Sequence, residues 1–316
     1  MIQLEALVPD ELDGQRCDRA AGEMFSDFSR ERLKSWINDG CLKVDGKQFR
    51  PRDKVYSGML MKLDAELEDQ ERWSAQDLPI ERVYEDDHLV VIDKPVGLVV
   101  HPGAGNPDGT LLNALLHHVP EVAKVPRAGI VHRIDKDTSG LLVVAKTIEA
   151  QNSLVQQLQA RTVKREYQAI AIGVITAGGT VDAPIGRHPS KRTKMAVVNS
   201  GKQAITHYRV IKRFHGHTHI RVQLETGRTH QIRVHMAHER YPLVGDRLYQ
   251  GQSGAPKGGS SDLRDYLMSF PRQALHAASL QLVHPKNEES MCWTSPLPKD
   301  MQTLLDKLRA AEPANV

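Results

Sequence analysis

The chain has 316 residues, of which 26% are charged, with a formal net charge of +3 and a mean hydropathy of −0.43. This length favours two domains, and the composition is that of a soluble globular protein. The three cysteines, Cys17, Cys41 and Cys292, lack any C-x-x-C spacing, which excludes a disulfide framework and a zinc finger and favours a reducing cytoplasm. No run of about 18 apolar residues occurs, so the sequence predicts no membrane-spanning helix and no export signal.

The first 75 residues are predicted to form a small RNA-binding domain. Residues 15–24 and 29–38 have the spacing of two short helices, and residues 41–47 indicate a strand that enters an Asp-Gly hairpin. Between residues 29 and 62, nine Lys or Arg residues stand against four acids, as is typical of a nucleic-acid-binding surface. The segments S-R-E-R-L-K-S-W-I and K-V-D-G-K resemble the S4 RNA-binding module. This resemblance implies phosphate contacts from Arg30, Arg32 and Lys34.

An acidic segment separates this domain from the rest of the chain. Residues 64–72 hold five acids and one base, which predicts an exposed linker. We therefore predict one domain over residues 1–75, including the linker, and a larger domain over residues 76–316.

The larger domain is organised around residues 129–147, in which His132, Arg133 and Asp135 fall within four consecutive positions ahead of an apolar run. That run, residues 141–145, has the length and β-branched content of a buried strand, and the preceding T-S-G predicts a turn. A carboxylate just before a buried strand lies at the rim of a rigid scaffold, where charged neighbours can hold it ionised. An isolated Asp in a turn is usually a structural cap. Here the neighbours favour a reactive group.

Four motifs in the larger domain resemble the RluA family of RNA pseudouridine synthases. In chain order they are K-P-V-G-L-V-V-H-P-G, H-R-I-D-K-D-T-S-G, K-R-E-Y-Q-A and T-G-R-T-H-Q-I-R-V-H. The second motif departs from the family at Ile134, where Leu is usual, and the two side chains are apolar and equal in size. The resemblance implies that residues 76–316 form an α+β pseudouridine synthase catalytic domain with a mixed, mainly antiparallel sheet.

The resemblance also implies roles for individual residues. Asp135 is expected to be the catalytic carboxylate, with Tyr167 in the catalytic pocket and Arg228 paired with Asp135. Arg133 is expected either to replace the extruded base in the RNA stack or to bind the RNA backbone. The other expected substrate contacts are His132, Thr138, His230 and Ile232. Attack by Asp135 on the anomeric carbon and removal of the sugar 2′ proton both remain open.

No cofactor and no metal ion are expected. The isomerisation breaks the N-glycosidic bond, rotates the uracil and rejoins it through carbon, so it needs neither a redox group nor an energy source. Three histidines lie close in sequence near Glu225 and Glu239, but none has the spacing of a recognised zinc site. They are His230, His235 and His238.

The expected partner is large-subunit ribosomal RNA. Within the family, the chain most resembles members that act on 23S RNA at the helix 69 stem-loop, which implies a substrate within ribosomal particles. A second basic stretch, residues 187–213, holds eight Lys or Arg residues and no acid, and it supports an RNA partner. We expect a cytoplasmic monomer without membrane contact.

Two functions from other classes, a glycoside hydrolase and a non-catalytic RNA-binding protein, fit the sequence less well. A glycoside hydrolase needs two carboxylates in one pocket, and Asp137 would point away from Asp135 on an extended segment. A non-catalytic RNA-binding protein would explain the basic stretches. It would not explain four spaced motifs across the larger domain.

Overall fold

The computed structural model of the chain describes residues 2–25, 28, 30–65, 73–103, 105–191, 193–250 and 261–312. The chain divides into two compact units, Met1–Arg72 and Trp73–Val316. Trp73 packs against His101, with ring centroids 5.0 Å apart, which attaches the start of the second unit to its core. Most of the predicted acidic linker, Ser29 at the start of the second predicted helix, and the Arg30 side chain lie outside the described residues.

The first unit packs two helices on a small antiparallel sheet. The strand order is β1–β3–β2, with Ile2 opposite Ala65 at one end of the β1–β3 pair. Helix α2 buries Leu33, Trp36 and Ile37, the positions that helical spacing predicted, because residues three and four apart share one face. The elements are β1 (Ile2–Leu7), α1 (Cys17–Met24), α2 (Arg30–Asn38), β2 (Leu42–Val44) and β3 (Leu60–Ala65).

The second unit is built on a mixed sheet with helices around it. The strand order is β4–β5–β6–β13–β7–β12–β11–β8, with β14 paired to β13. Its strands are β4 (Glu81–Glu85), β5 (Leu89–Lys94), β6 (Ser139–Ala145), β7 (Lys164–Ile172), β8 (Gly179–Asp182), β9 (Ile185–Arg187), β10 (Met195–Val197), β11 (Ile205–Phe214), β12 (His217–Leu224), β13 (Leu275–Val283) and β14 (Ser290–Thr294). The helices are α3 (Leu111–His118), α4 (Ile148–Gln159), α5 (Gln231–His238), α6 (Ser261–Ser269) and α7 (Lys299–Ala310).

All pairings in this sheet are antiparallel except the short contact between β6 and β13. The predicted α+β class with a mixed, mainly antiparallel sheet is therefore confirmed. Strands β9 and β10 form a separate antiparallel pair at the start of the second basic stretch. Within the described ranges, no helix is long and apolar enough to cross a bilayer.

Strand β6 is the buried centre of the sheet, since all seven of its residues are buried. The apolar run predicted this, because a strand covered on both faces needs no polar alternation. At its start, Gly140 has a φ of +111°, and an added Cβ would lie 2.2 Å from the Ala277 carbonyl oxygen. Only a glycine allows β6 and β13 to approach this closely.

We expect Gly140→Ala to destabilise the second unit by more than about 4 kcal/mol, because the methyl group must push apart two central strands. Gly109→Ala is the matched control: Gly109 also has a positive φ, +65°, but nothing lies within 4 Å of its added Cβ. Its expected cost is about 1–2 kcal/mol, from backbone strain alone. Urea unfolding followed by circular dichroism measures both, and equal losses would contradict the packing argument.

Candidate active site

Asp135 begins a tight turn that leads into β6. The Thr138 amide donates to the Asp135 carbonyl at 3.1 Å. Two donors from the K-P-V-G-L loop then hold the Lys136 carbonyl: the Lys94 ammonium and the Gly97 amide, both at 3.0 Å. Lys94 is fully buried, and this burial lowers its pKa to about 7. The loop thus fixes the backbone beside Asp135.

Arg233 on α5 is the cation bound to Asp135. Its Nη1 donates to Asp135 Oδ2 at 2.9 Å. Its Nε and Nη2 donate to the two oxygens of Asp246 at 2.7 and 2.9 Å, and the Asp246 side chain is fully buried. Burial opposes the charge on Arg233, but the hydrogen bonds and charge of Asp246 outweigh it and raise the pKa of the guanidinium. One planar cation is therefore shared between two carboxylates.

The predicted pairing of Arg228 with Asp135 is wrong. Arg228 is exposed and lies in the loop before α5, where its Nε donates to the Gln203 carbonyl at 3.0 Å. Its amide donates to Gln231 Oε1 at 2.9 Å, which fixes the loop at the helix start. Arg233 instead lies inside α5 on its buried face. The missed signal was a basic residue between Ile232 and Val234, where an apolar residue would be expected on a buried helix.

Asp135 opens onto a cavity of about 80 Å³. Of the residues predicted from the motifs, the cavity wall contains Arg133, Asp135, Thr138, Tyr167, Arg228, His230 and Ile232. His132 lines the neighbouring cavity instead. Arg32 and Lys34 belong to the first unit, where Lys34 lines a groove with Arg16, Arg50 and Arg52.

Tyr167 stands on β7, between Val222 of β12 and Ala277 of β13. It is buried, and this burial raises the pKa of its phenol, so the hydroxyl is protonated at neutral pH. Of the described residues in the cavity wall, Asp135 is the one carboxylate. Asp137 is not among them, and its carbonyl accepts from Arg272 at 3.2 Å. This arrangement does not fit a hydrolase that needs two carboxylates.

His230 sits beside Asp135 and completes the cavity wall. Its Nε2 lies 3.9 Å from Asp135 Oδ1, and its Nδ1 lies 2.8 Å from the Tyr249 hydroxyl. Burial lowers the pKa of His230, which favours the neutral imidazole near pH 7. His230 also adopts a left-handed conformation, with a φ of +58°, at the N-cap of α5, directly before Gln231. A strained backbone at a helix start that faces a carboxylate is typical of a functional site.

The histidines that the sequence grouped together have separate partners. His235 is buried and bonds Thr206 Oγ1 and the Ala183 carbonyl, at 2.8 and 2.9 Å. Among the residues described, the donor atoms of Asp77, His117 and His118 lie within 4.8 Å of one another. None of the three lines the Asp135 cavity.

Proteins that are similar to this chain in sequence or in structure are named pseudouridine synthases, which agrees with this geometry. The RNA pseudouridylate synthase family matches residues 88–238. A Pseudomonas aeruginosa protein called ribosomal large subunit pseudouridine synthase D is 62% identical over 309 residues, covering 98% of this chain and 97% of the relative. The Vibrio parahaemolyticus protein of the same name is 57% identical over 98% of this chain and 95% of its own. The structure of human RNA pseudouridylate synthase domain containing 4 is 28% identical, with a TM-score of 0.56, and covers 72% of this chain and 92% of its own.

Proposed function

The chain belongs to the RNA pseudouridylate synthase family, and from this premise we propose that it converts uridines of large-subunit (23S) ribosomal RNA to pseudouridine. The observation that carries the proposal is a single carboxylate, Asp135, bound to Arg233 at the mouth of a cavity that also contains Tyr167. The names of the relatives support the substrate. We further propose the helix 69 stem-loop as the target, a cytoplasmic location, action on ribosomal particles and a monomeric enzyme.

The isomerisation needs a charged carboxylate next to the ribose of an extruded uridine. Asp135 supplies this group, and it either attacks the anomeric carbon or takes the sugar 2′ proton. The glycosidic bond then breaks, the uracil rotates within the cavity, and its C5 bonds to the anomeric carbon. When C5 bonds to the anomeric carbon, Asp135 leaves that carbon or returns the proton to C2′. In the last step C5 loses its proton and N1 gains one, so the product is an isomer of uridine. The Tyr167 ring packs against the uracil, and Arg133, exposed at the rim, contacts the RNA around the extruded base.

Mapping pseudouridine in 23S RNA tests the substrate. RNA from cells that lack this protein is compared with RNA from cells that carry it and from cells that carry Asp135→Asn. We expect the stem-loop of helix 69 to lose its pseudouridines without the protein and to regain them only with the parent sequence. An unchanged pseudouridine map of 23S RNA would contradict the proposal. Loss of pseudouridine at another position of 23S RNA would identify that position as the target instead of helix 69.

We propose that the first unit recruits RNA, in the manner of the S4 module that its sequence resembles. Its groove is lined by Arg16, Lys34, Arg50 and Arg52. Each unit has its own buried core, so residues 73–316 are expected to fold alone. Without residues 1–72, binding is expected to weaken, and log affinity should depend less steeply on log salt, by roughly one unit per lost phosphate contact.

Single-turnover rates at saturating RNA separate recruitment from chemistry in this truncated protein. We expect the saturated rate to be unchanged, because every described residue of the Asp135 cavity wall is in the second unit. A large fall in that rate with unchanged affinity would show that the first unit positions the target base instead.

A further inference from the structure

A second, larger cavity lies beside the Asp135 cavity. Its volume is about 570 Å³, and it shares Arg133, Arg165, Gly227 and Arg228 with the wall of its neighbour. Its lining includes the apolar side chains of Val100, Ile130, Val155 and Leu158, while Arg127 and Arg161 add positive charge. The carboxylate in this wall, Glu225, is already bound by Arg161 at 3.1 Å and by His207 at 2.7 Å. The cavity is thus part apolar and part cationic.

Unsatisfied polar atoms collect at this cavity. Across the described part of the chain, three buried side-chain nitrogens have no hydrogen-bond partner: His101 Nε2, His132 Nδ1 and Arg165 Nε. All three residues line this one cavity, and Arg165 is only 8% exposed. A buried polar atom without a partner costs about 1–3 kcal/mol, so folded proteins keep few of them. Their concentration at one cavity points to a ligand that supplies the missing partners.

The bonds already made by the two histidines fix what each free atom can do. His101 Nδ1 lies 3.1 Å from the Pro102 carbonyl and must donate to it, which leaves Nε2 as an acceptor. His132 Nε2 accepts from the Val143 amide at 3.1 Å, so the ring proton is on Nδ1, a donor. Burial keeps both rings neutral: it lowers the pKa of His101, and it lowers that of His132 to about 3. Arg165 Nε is always a donor.

The cavity therefore offers two donors and one acceptor, together with an apolar wall and arginine cations. Inorganic phosphate or a phosphodiester alone would satisfy the donors but leave the acceptor of His101 and the apolar wall unused. A nucleotide has donors, acceptors and apolar ring faces on its base, and its phosphate would meet Arg127 and Arg133. Each of the three free atoms is covered by its own neighbours in the unbound protein, so a small side-chain rotation must accompany binding.

We propose that this cavity binds a second, unpaired nucleotide of the RNA, adjacent in the chain to the uridine held at Asp135. The inference rests on the proposed function and deepens it. Since the two cavities share a wall, consecutive nucleotides can occupy both. The enzyme would then open two neighbouring positions of the RNA, which restricts its substrates to loops or ends that can be splayed apart.

The test pairs variants of the cavity with RNA stem-loops that lack one base. His101→Phe keeps a ring but removes the Nε2 acceptor, together with the Nδ1 hydrogen bond to the Pro102 carbonyl. Arg127→Gln removes an exposed cation. Dissociation constants and saturated single-turnover rates are measured with intact RNA and with RNA made abasic, in turn, at each position flanking the target uridine. We expect His101→Phe to weaken binding of intact RNA roughly tenfold without changing the saturated rate.

The decisive result is whether the effect of His101→Phe on binding depends on the presence of one flanking base. At one flanking position, removal of the base should weaken binding by the parent, and His101→Phe should then have no further effect. Arg127→Gln should weaken binding to every RNA alike, because it meets a phosphate. Additive effects of His101→Phe at all flanking positions, or no effect of either variant on intact RNA, would overturn the inference. If His101→Phe does not fold, His101→Asn is measured in its place with the same intact and abasic RNAs.

Failure of the proposed function would look different. In that case the parent enzyme would form no pseudouridine in this RNA, whatever the variants did to binding. Binding coupled to one flanking base without any isomerisation would support the cavity and contradict the substrate.

Discussion

Replacing Asp135 by Asn is expected to reduce pseudouridine formation by a factor on the order of 10⁴ or more. The amide is nearly the same size as the carboxylate, but it is neither a nucleophile nor a base, so both possible first steps are lost. The fold should survive, because Asp246 still holds Arg233 through two hydrogen bonds. Single-turnover formation of pseudouridine in a helix 69 stem-loop measures the loss. Melting curves check that the fold is intact.

Asp137→Asn is the matched control for this experiment. Asp137 lies two residues further on, outside the wall of the Asp135 cavity, and its backbone carbonyl rather than its side chain binds Arg272. We expect less than about a fivefold change in the saturated rate. Comparable turnover by the parent and Asp135→Asn would remove Asp135 from the chemistry. A larger loss of rate in Asp137→Asn than in Asp135→Asn would assign the catalytic role to Asp137.

Arg233→Lys is expected to lower the saturated rate by roughly 10²–10³-fold. A lysine keeps the charge but cannot span two carboxylates with a planar fork, so either Asp135 or the buried Asp246 loses its partner. We also expect a loss of stability of about 2–4 kcal/mol, because Asp246 would be buried and incompletely bonded. Rates are therefore compared at a temperature where both proteins are folded by circular dichroism.

The Arg228→Lys variant tests whether Arg228 or Arg233, the two arginines of the T-G-R-T-H-Q-I-R-V-H motif, supports Asp135 in the reaction. Arg228 is exposed, and its side chain bonds a single backbone carbonyl, that of Gln203. We expect its saturated rate to stay within about fivefold of the parent, with weaker RNA binding as the main effect. A greater rate loss for Arg228→Lys than for Arg233→Lys would mean that Arg228 moves to Asp135 when RNA binds.

The sequence was most informative where local pattern and fold coincide. Strand β6 was predictable because five consecutive apolar residues suit a strand buried on both faces. The position of Asp135 followed, because a turn that enters such a strand must lie at its edge. The family resemblance, rather than a local pattern, implied that Tyr167 lies in the same pocket, and the structure brings both side chains to one cavity.

The partner of Asp135 could not be chosen in this way. The two arginines of the T-G-R-T-H-Q-I-R-V-H motif, Arg228 and Arg233, are five residues apart. The residue at which α5 starts decides which of the two side chains faces Asp135. That start depends on His230 in a left-handed conformation, which His adopts more often than most residues but still too rarely to be predicted at one position. The hydrogen bond between Asp135 and Arg233 joins residues that are 98 positions apart in the chain. Such a contact between distant residues follows from tertiary packing rather than from any local pattern.

Lys94 offers a way to observe the Asp135 turn directly. Burial lowers the pKa of Lys94 to about 7, and the amine is fully enclosed and bonded to the carbonyls of Pro95 and Lys136. An acylating reagent can reach it only when the loop and the turn separate. The rate at which Lys94 is acylated, compared with exposed lysines, therefore reports how often the active-site backbone opens in the folded protein. Bound RNA should slow that acylation if it holds the turn closed.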